Sequence, residues 1–207
     1  MSYISRAIMY LLTEIDRTAE QQLGNKIADI VKSHSVGAAC AAGAAGLVPG
    51  AAVPAAVAIC GGFIWSMYYR INNAIGVPFS KNLIKSIGTA ICTNVAMGYA
   101  GMYIIVFGVS FIPGVHAVNF LLLALATYVT TFASGVIYLN VLTAIAKSNN
   151  GSFDNVSEAS LKIAADDACK NADLGAIKRE AKAEYNEAKA RGDINKNNNF
   201  DKEEGFK

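Results

Sequence analysis

Oxygen-bearing side chains recur at regular spacing near the end of the chain, between residues 193 and 204. The spacing is that of an EF-hand calcium loop, with oxygens at its first, third, fifth, seventh, ninth and twelfth positions. These residues are Asp193, Asn195, Asn197, Asn199, Asp201 and Glu204. Asn198 stands where the loop needs glycine, and no second loop accompanies this one. The pattern predicts at most one weak calcium site, and a plain asparagine-rich polar tail is the alternative.

Residues for other chemistry are sparse. The sequence has no GxxxxGK[ST] phosphate loop, no GxSxG nucleophile elbow, no HExxH zinc motif and no GxGxxG motif after a strand. His34 and His116 stand beside apolar stretches, where a hydrogen-bonded structural role is favoured over proton sensing. The four cysteines include no CxxC pair, which argues against a disulfide or metal framework. We therefore predict no catalytic residue and no cofactor other than this calcium ion.

Charge is unevenly distributed along the chain. Of its 207 residues, 53% are apolar and only 16% are charged, whereas an average soluble domain has about 25% charged residues. No Asp, Glu, Lys or Arg occurs in residues 33–69 or 86–146. Such apolar blocks between polar segments are typical of a chain partly solvated by lipid. In the tail, acidic and basic residues alternate, which predicts a solvated helix surface and no binding of nucleic acid.

Each apolar block contains a Pro-Gly pair, which predicts a turn between two helices. The turn residues are Pro49 and Gly50 in the first block and Pro113 and Gly114 in the second. As helices, arms 33–48 and 51–69 would be about 24 Å and about 28 Å long, against a hydrocarbon core of about 30 Å. Whether the first hairpin crosses the membrane or re-enters is therefore open. Arms 86–112 and 115–146 are long enough to cross.

The predicted fold is all-α and has three regions. Residues 1–32 form an amphipathic helical segment, residues 33–146 form a membrane domain of two hairpins, and residues 147–207 form a polar tail. The connector between the hairpins covers residues 70–85 and contains basic residues but no acid, whereas the Pro-Gly turns carry no charge. The positive-inside rule therefore places both termini and the connector in the cytoplasm.

Local signals divide the polar regions into helices. In residues 4–15, apolar side chains recur every three or four positions, and Gly24 with Asn25 predicts a break before the next helix. The predicted cap of the first tail helix is Ser157 or Asn155, and that of the second is Asp173. Because the tail has few large apolar residues, we expect it to pack weakly or against a partner.

Alanine and glycine dominate the first arm of the first hairpin. They recur at four-residue spacing, as in Gly37 with Ala41 and Ala38 with Ala42, and Gly46 extends the pattern. Such a surface lets two helix backbones approach closely within a membrane. It predicts a helix-packing face and a homo-oligomer assembled through it.

A family resemblance covers residues 32–146. It is carried by KSHS at 32–35 with the following Ala/Gly-rich arm, LVPG at 47–50, FIWSMYYRIN at 63–72 and IGVPFSK at 75–81. On these stretches the chain resembles the YcjF-type bacterial family of unknown function, whose domain often follows a small GTP-binding domain. The resemblance implies a helical module of the bacterial inner membrane that serves a GTP-binding protein in trans, and it carries no catalytic residues.

Three classes of function follow from these features. The favoured class is a non-enzymatic integral membrane module that oligomerises and presents cytoplasmic segments to a partner. The alternative is a pore-forming or membrane-perturbing effector. The absence of charged residues from the blocks argues against a constitutive aqueous pore, although Ser, Thr and Asn side chains could line one. A membrane enzyme is disfavoured, since the blocks contain no acid, base or metal cluster.

Overall fold

The computed structural model describes residues 1–45, 52–110, 112, 114 and 116–195. Within these ranges the chain forms eight α-helices and no strand, which confirms the predicted all-α class. The helices are α1 Tyr3–Glu14, α2 Gln21–Ala45, α3 Ala52–Ile75, α4 Lys81–Gly98, α5 Ala100–Ser110, α6 His116–Ser148, α7 Glu158–Asn171 and α8 Leu174–Ala190.

Short polar side chains begin four of the helices. Ser2, Ser80, Ser157 and Asp173 each accept a hydrogen bond from the backbone N–H three residues further on. An N-cap of this kind satisfies a backbone donor that has no partner inside the helix. Of the two caps predicted for α7, Ser157 or Asn155, the structure has Ser157, and the predicted cap of α8 at Asp173 is confirmed.

α2 runs without interruption through Gly24, so the break predicted at Gly24 and Asn25 is wrong. A side chain on Gly24 would lie 3.5 Å from atoms of Ile8 and Leu12, which shows that α1 packs against this turn of α2. A glycine inside a helix costs about 1 kcal/mol relative to alanine, and the packing of α1 on α2 outweighs this cost. The same helix continues across residue 33, where the first predicted region meets the predicted membrane domain.

α6 lies at the centre of the molecule and contacts each of the other seven described helices. Every residue from 126 to 139 is buried, so this stretch of α6 is enclosed on all sides, as its apolar composition requires. The polar tail takes part in this enclosure. It buries Leu161, Ile177 and Tyr185 in the common core, so it packs more closely than its composition predicts.

The predicted arm 86–112 is two helices. α4 ends at Gly98, α5 begins at Ala100, and the two are bent by 69°. Leu174, at the start of α8, occupies the space in which a side chain on Gly98 would lie. The Tyr99 hydroxyl also donates a hydrogen bond to the Leu174 carbonyl over 2.9 Å. The tail therefore packs against the elbow between α4 and α5 and stabilises it.

A stacked pair of tyrosines joins α3 to α6 inside the core. The rings of Tyr68 and Tyr138 have centroids 3.7 Å apart and planes inclined by only 9°. The Tyr138 hydroxyl donates to Oδ1 of Asn72 over 2.7 Å, and the Tyr68 hydroxyl donates to the Ser134 carbonyl over 2.9 Å. Because buried polar groups without partners are costly, these hydrogen bonds fix how α3 sits along α6.

Replacing Tyr138 by phenylalanine removes the donor to Asn72 and leaves Oδ1 of Asn72 buried without it. We expect Tyr138→Phe to lower the free energy of unfolding by about 1–3 kcal/mol. Urea unfolding followed by circular dichroism measures the change. Tyr10→Phe is the matched control, because Tyr10 is 51% exposed. If Tyr138→Phe is no less stable than Tyr10→Phe, the hydrogen bond does not hold α3 in place.

Candidate functional site

The helices that lead into the two Pro-Gly turns meet at one end of the molecule. A side chain on Gly43, near the end of α2, would collide with the ring of Phe120, near the start of α6. A second, smaller apolar core lies here, separate from the main one. Its buried members are Ala42, Ala56, Val106 and Leu123. It brings α2, α3, α5 and α6 together.

Only one of the four predicted turn residues lies among the described residues. Gly114 has a φ of +85°, a left-handed conformation that glycine adopts without steric cost. Pro49, Gly50 and Pro113 lie outside the described residues, so the turns themselves stay predictions.

Large apolar side chains are exposed at this end. They are Val57, Met97, Ile104, Ile105, Phe107, Ile112, Val118 and Leu121, each between 38% and 69% exposed. We define the apolar end as the described residues within 40–62, 92–112 and 116–124, ranges that contain no charged residue. Four other exposed large apolar side chains are scattered elsewhere: Met1, Met9, Tyr10 and Ile163. Soluble monomers rarely gather exposed apolar side chains in this way, and such a gathering is typical of surfaces that contact a partner or a membrane.

No sequence motif singles out α5, which contributes three of these exposed residues. The signal that could have identified it is the absence of a polar face, because residues 100–109 contain no charged side chain and only Tyr103 with a hydroxyl group. A helix without a polar face is either enclosed by protein or in contact with an apolar phase. Ile104 is 69% exposed and Phe107 is 53% exposed, so α5 is not enclosed by this chain.

A groove of about 550 Å³ follows the elbow between α4 and α5, on the side of α3. Its lining residues are Val57, Cys92, Thr93, Ala96, Met97, Ala100, Tyr103, Ile104 and Phe107. The Tyr103 hydroxyl lies 2.9 Å from that of Thr130, inside the protein. The groove surface is therefore almost wholly apolar and suits an apolar ligand.

Charged side chains border the apolar end on the side of α8. Lys32 and Glu184 form an ion pair at 2.8 Å. Next to this pair, the ring of Tyr185 packs edge-on against Tyr128, with centroids 5.6 Å apart. The Tyr185 hydroxyl donates to the Leu121 carbonyl over 3.4 Å, and burial raises the pKa of Tyr185 to about 12. This hydroxyl therefore stays protonated at neutral pH and remains a donor.

The predicted packing face of α2 is used inside one chain. Gly37, Ala38 and Ala42 are buried and Ala41 is partly buried, on a helix that contacts α3 and α6. Gly46 lies outside the described residues. Small side chains here permit the close approach of helices within one chain, and self-association stays a prediction.

Of the predicted calcium ligands, the described residues include Asp193 and Asn195. The Asp193 carboxylate accepts a hydrogen bond from Arg191 over 2.9 Å, and the Asn195 side-chain amide donates to the Gly192 carbonyl over 2.9 Å. The other predicted ligands lie outside the described residues: Asn197, Asn199, Asp201 and Glu204. Within the described ranges, no group of three or more His, Cys, Asp or Glu stands ready to hold a metal ion. Calcium binding stays a prediction.

His34 joins α2 to α3 and is fully buried. Its Nδ1 lies 2.7 Å from the Ile30 carbonyl, and its Nε2 lies 3.3 Å from the Ser66 hydroxyl. Because a carbonyl can only accept, Nδ1 carries the proton, and in the neutral ring Nε2 accepts from Ser66. This geometry agrees with a structural role for His34.

α6 supplies the one unbent segment in the described part of the chain that is long and apolar enough to cross a membrane, Ala117–Ser148. The bent pair α4 and α5 would add a second if it counts as one span. Yet 78% of the most apolar stretch of α6 is buried inside the protein. A core helix of a soluble protein has the same properties, so length and composition alone do not decide whether α6 crosses.

Comparisons with protein-family models, curated proteins and solved structures find no match to this chain. The role of the apolar end must therefore follow from its own residues. Its exposed side chains are apolar, one border is charged, and its groove has an apolar lining. These properties suit an apolar partner.

The buried position of Ala42 gives a test of the α2 packing face. Ala42 is fully buried, so we expect Ala42→Leu to overfill the small core and lower the free energy of unfolding by about 1–3 kcal/mol. Urea unfolding measures the change. Ala58→Leu adds the same atoms at an exposed position of α3 and serves as the control. Equal stability of the two variants would show that the small side chain is not required inside the chain.

Proposed function

We propose that this chain is a non-enzymatic membrane module whose apolar end inserts into a lipid bilayer while its charged helices stay in water. The observation that carries the proposal is the gathering of exposed large apolar side chains at the charge-free end. Removing a fully exposed Val, Leu, Ile or Phe side chain from water is favourable by about 1.5–3 kcal/mol. Eight partly exposed side chains together contribute on the order of 10 kcal/mol to membrane binding.

The position of the tail supports a first hairpin that re-enters the membrane. The Cys40 thiol lies 3.5 Å from the Asp193 carbonyl, so the charged tail reaches α2 close to its end. Beyond this contact, eight residues, 41–48, precede the predicted turn at Pro49 and Gly50, and a helix of that length spans about 12 Å. The hydrocarbon core is about 30 Å thick. An arm of this length therefore fits within one leaflet.

The proposal includes an orientation and a partner. Both termini and the connector 70–85 face the cytoplasm, because the basic residues lie outside the apolar blocks. The resemblance to the YcjF-type family supports the bacterial inner membrane as the location and a GTP-binding protein in trans as the partner of the charged helices. Self-association of the module would use surfaces other than the buried face around Ala38 and Ala42.

A second candidate function is that of a pore-forming or membrane-perturbing effector, and α6 is the observation that favours it. This helix is long and apolar enough to cross a bilayer but is covered by polar helices. Release of α7 and α8 would uncover one side of it, the first step toward insertion. The two candidates therefore differ in whether α8 must leave α6.

A charge on α5 tests membrane insertion. Moving an aspartate into the bilayer core costs about 2.5–3.5 kcal/mol, so we expect Ile104→Asp to reduce the membrane-bound fraction more than tenfold in flotation with vesicles. Ile163→Asp is the matched control, because Ile163 is 62% exposed, close to the 69% of Ile104, but lies on α7. Equal loss of binding in both variants, or in neither, would rule out the apolar end as the inserting surface.

A reversible cross-link between α2 and α8 separates the two candidates. Lys32→Cys with Glu184→Cys, in a chain whose native cysteines are replaced by alanine, places two thiols on the helices that the ion pair now joins. A bifunctional methanethiosulfonate reagent links them, because a direct disulfide needs Cα atoms within about 7 Å. We expect the cross-linked and reduced proteins to bind vesicles equally and to release no entrapped dye. Dye release by the reduced form alone would favour the effector, since α8 must then move away.

A further inference from the structure

We propose that the outer face of α3 and α4 binds one anionic glycerophospholipid, with its phosphate beside Lys85 and one acyl chain in the groove of the apolar end. This inference rests on the membrane insertion proposed above. The proposed function requires only that the apolar end contacts lipid of any kind. The present inference specifies which class of lipid binds and at which site.

The groove has the size and lining that an acyl chain requires. Its volume of about 550 Å³ lies within the range of about 300–1,000 Å³ of small-molecule sites. It begins at Cys92 on α4, follows the elbow past Ala100 and ends at Phe107 on α5. Because it is open along the surface that faces the proposed bilayer, a chain can enter it sideways from the membrane.

One face of α4 leads from the groove to a basic group. Lys85, Thr89, Cys92 and Ala96 follow one another at steps of three or four residues, which places them on the same side of a helix. Lys85 and Thr89 are exposed. Cys92 lies seven positions after Lys85, or about 10 Å along the helix, a distance that separates a headgroup phosphate from the start of the acyl-chain region.

The charge around Lys85 favours an anionic headgroup. The connector and the start of α4 contain three basic residues, Arg70, Lys81 and Lys85, and no acid occurs in residues 70–85. On the α7 side, Glu158 accepts a hydrogen bond from Ser86, next to Lys85 in sequence, over 3.2 Å and pairs with Lys162 at 2.9 Å. Among the described residues no carboxylate forms an ion pair with Lys85.

Aromatic rings accompany the lysines at this border. The Lys85 Nζ lies 5.7 Å from the centre of the Trp65 ring, and the Lys81 Nζ lies 6.0 Å from that of Tyr69. The Trp65 ring rests on Gly88, where a side chain would collide with it. Tryptophan, tyrosine and lysine are enriched where a membrane protein passes from the apolar core to the headgroups. Trp65 therefore stands between the proposed phosphate site and the groove.

Trp65 is the single tryptophan of the chain, so its fluorescence reports on this site alone. The experiment uses vesicles of phosphatidylcholine and phosphatidylglycerol in one fixed proportion. In one set the phosphatidylglycerol chains carry bromine, which quenches tryptophan on contact. In the other set an equal amount of phosphatidylcholine carries it. We expect phosphatidylglycerol to be enriched about fivefold at Trp65 relative to phosphatidylcholine. One lysine near an anionic lipid favours it by about 1 kcal/mol, which corresponds to this ratio.

Two variants and a control assign the enrichment to the site. Lys85→Gln should abolish the difference between the two vesicle sets, and Ala96→Phe should do the same by filling the groove. Lys26→Gln removes the same charge from an exposed position of α2 and should keep the difference.

The outcomes separate this inference from the proposed function. Flotation of the same samples measures insertion, and if the unmodified chain does not float, the proposed function fails. If it floats but both vesicle sets quench Trp65 equally, the lipid site is absent. Enrichment that survives both Lys85→Gln and Ala96→Phe would also overturn the site, because neither the phosphate contact nor the groove would then select the lipid.

Discussion

α6 is apolar around its whole circumference, and the need to cover it is the constraint on which the rest of the structure depends. From residue 126 to 139 every side chain is buried, and the surrounding helices include two from the polar tail. This cover ends toward the start of α6. Val118 and Leu121 are exposed there, and the neighbouring α5 is itself apolar. The same helix is thus buried by protein in its middle and exposed at its start.

Close approach to α6 depends on glycine, and it buries polar groups of which only some are hydrogen-bonded. A side chain on Gly135 would lie 2.8 Å from Val31 and 3.1 Å from Met67, so α2 and α3 both approach the backbone of α6 at this point. Buried polar groups are costly without partners, and among the described residues the Ser134 hydroxyl and Nδ2 of Asn72 have none. His34 and Ser66 are hydrogen-bonded to each other and join α2 directly to α3.

The same arrangement explains why the proposed function lies at one end. Where α7, α8 and α1 cover α6, their charged faces meet water. Where they stop, the protein offers α5 and the starts of α3 and α6, none of which has a charged residue. Lipid hydrocarbon solvates such side chains as a protein interior does. In the proposed function the bilayer covers the surface that α7, α8 and α1 leave uncovered. Lys85 and Trp65 then lie at the edge of the bilayer on the α4 side.

The sequence by itself determined the helical class, the two charge-free blocks and the helix start at Asp173, and it narrowed the start of α7 to Ser157 or Asn155. These features depend on local composition and on hydrogen bonds to a backbone N–H three residues away. It did not determine that α2 continues through Gly24 or that the chain bends at Tyr99. Those outcomes depend on contacts with α1 and with Leu174, which are distant in sequence. Composition also does not distinguish α6 from α5, since both are apolar. Only the tertiary structure decided that one is enclosed and the other exposed, because burial depends on which helices surround a segment and not on the segment alone.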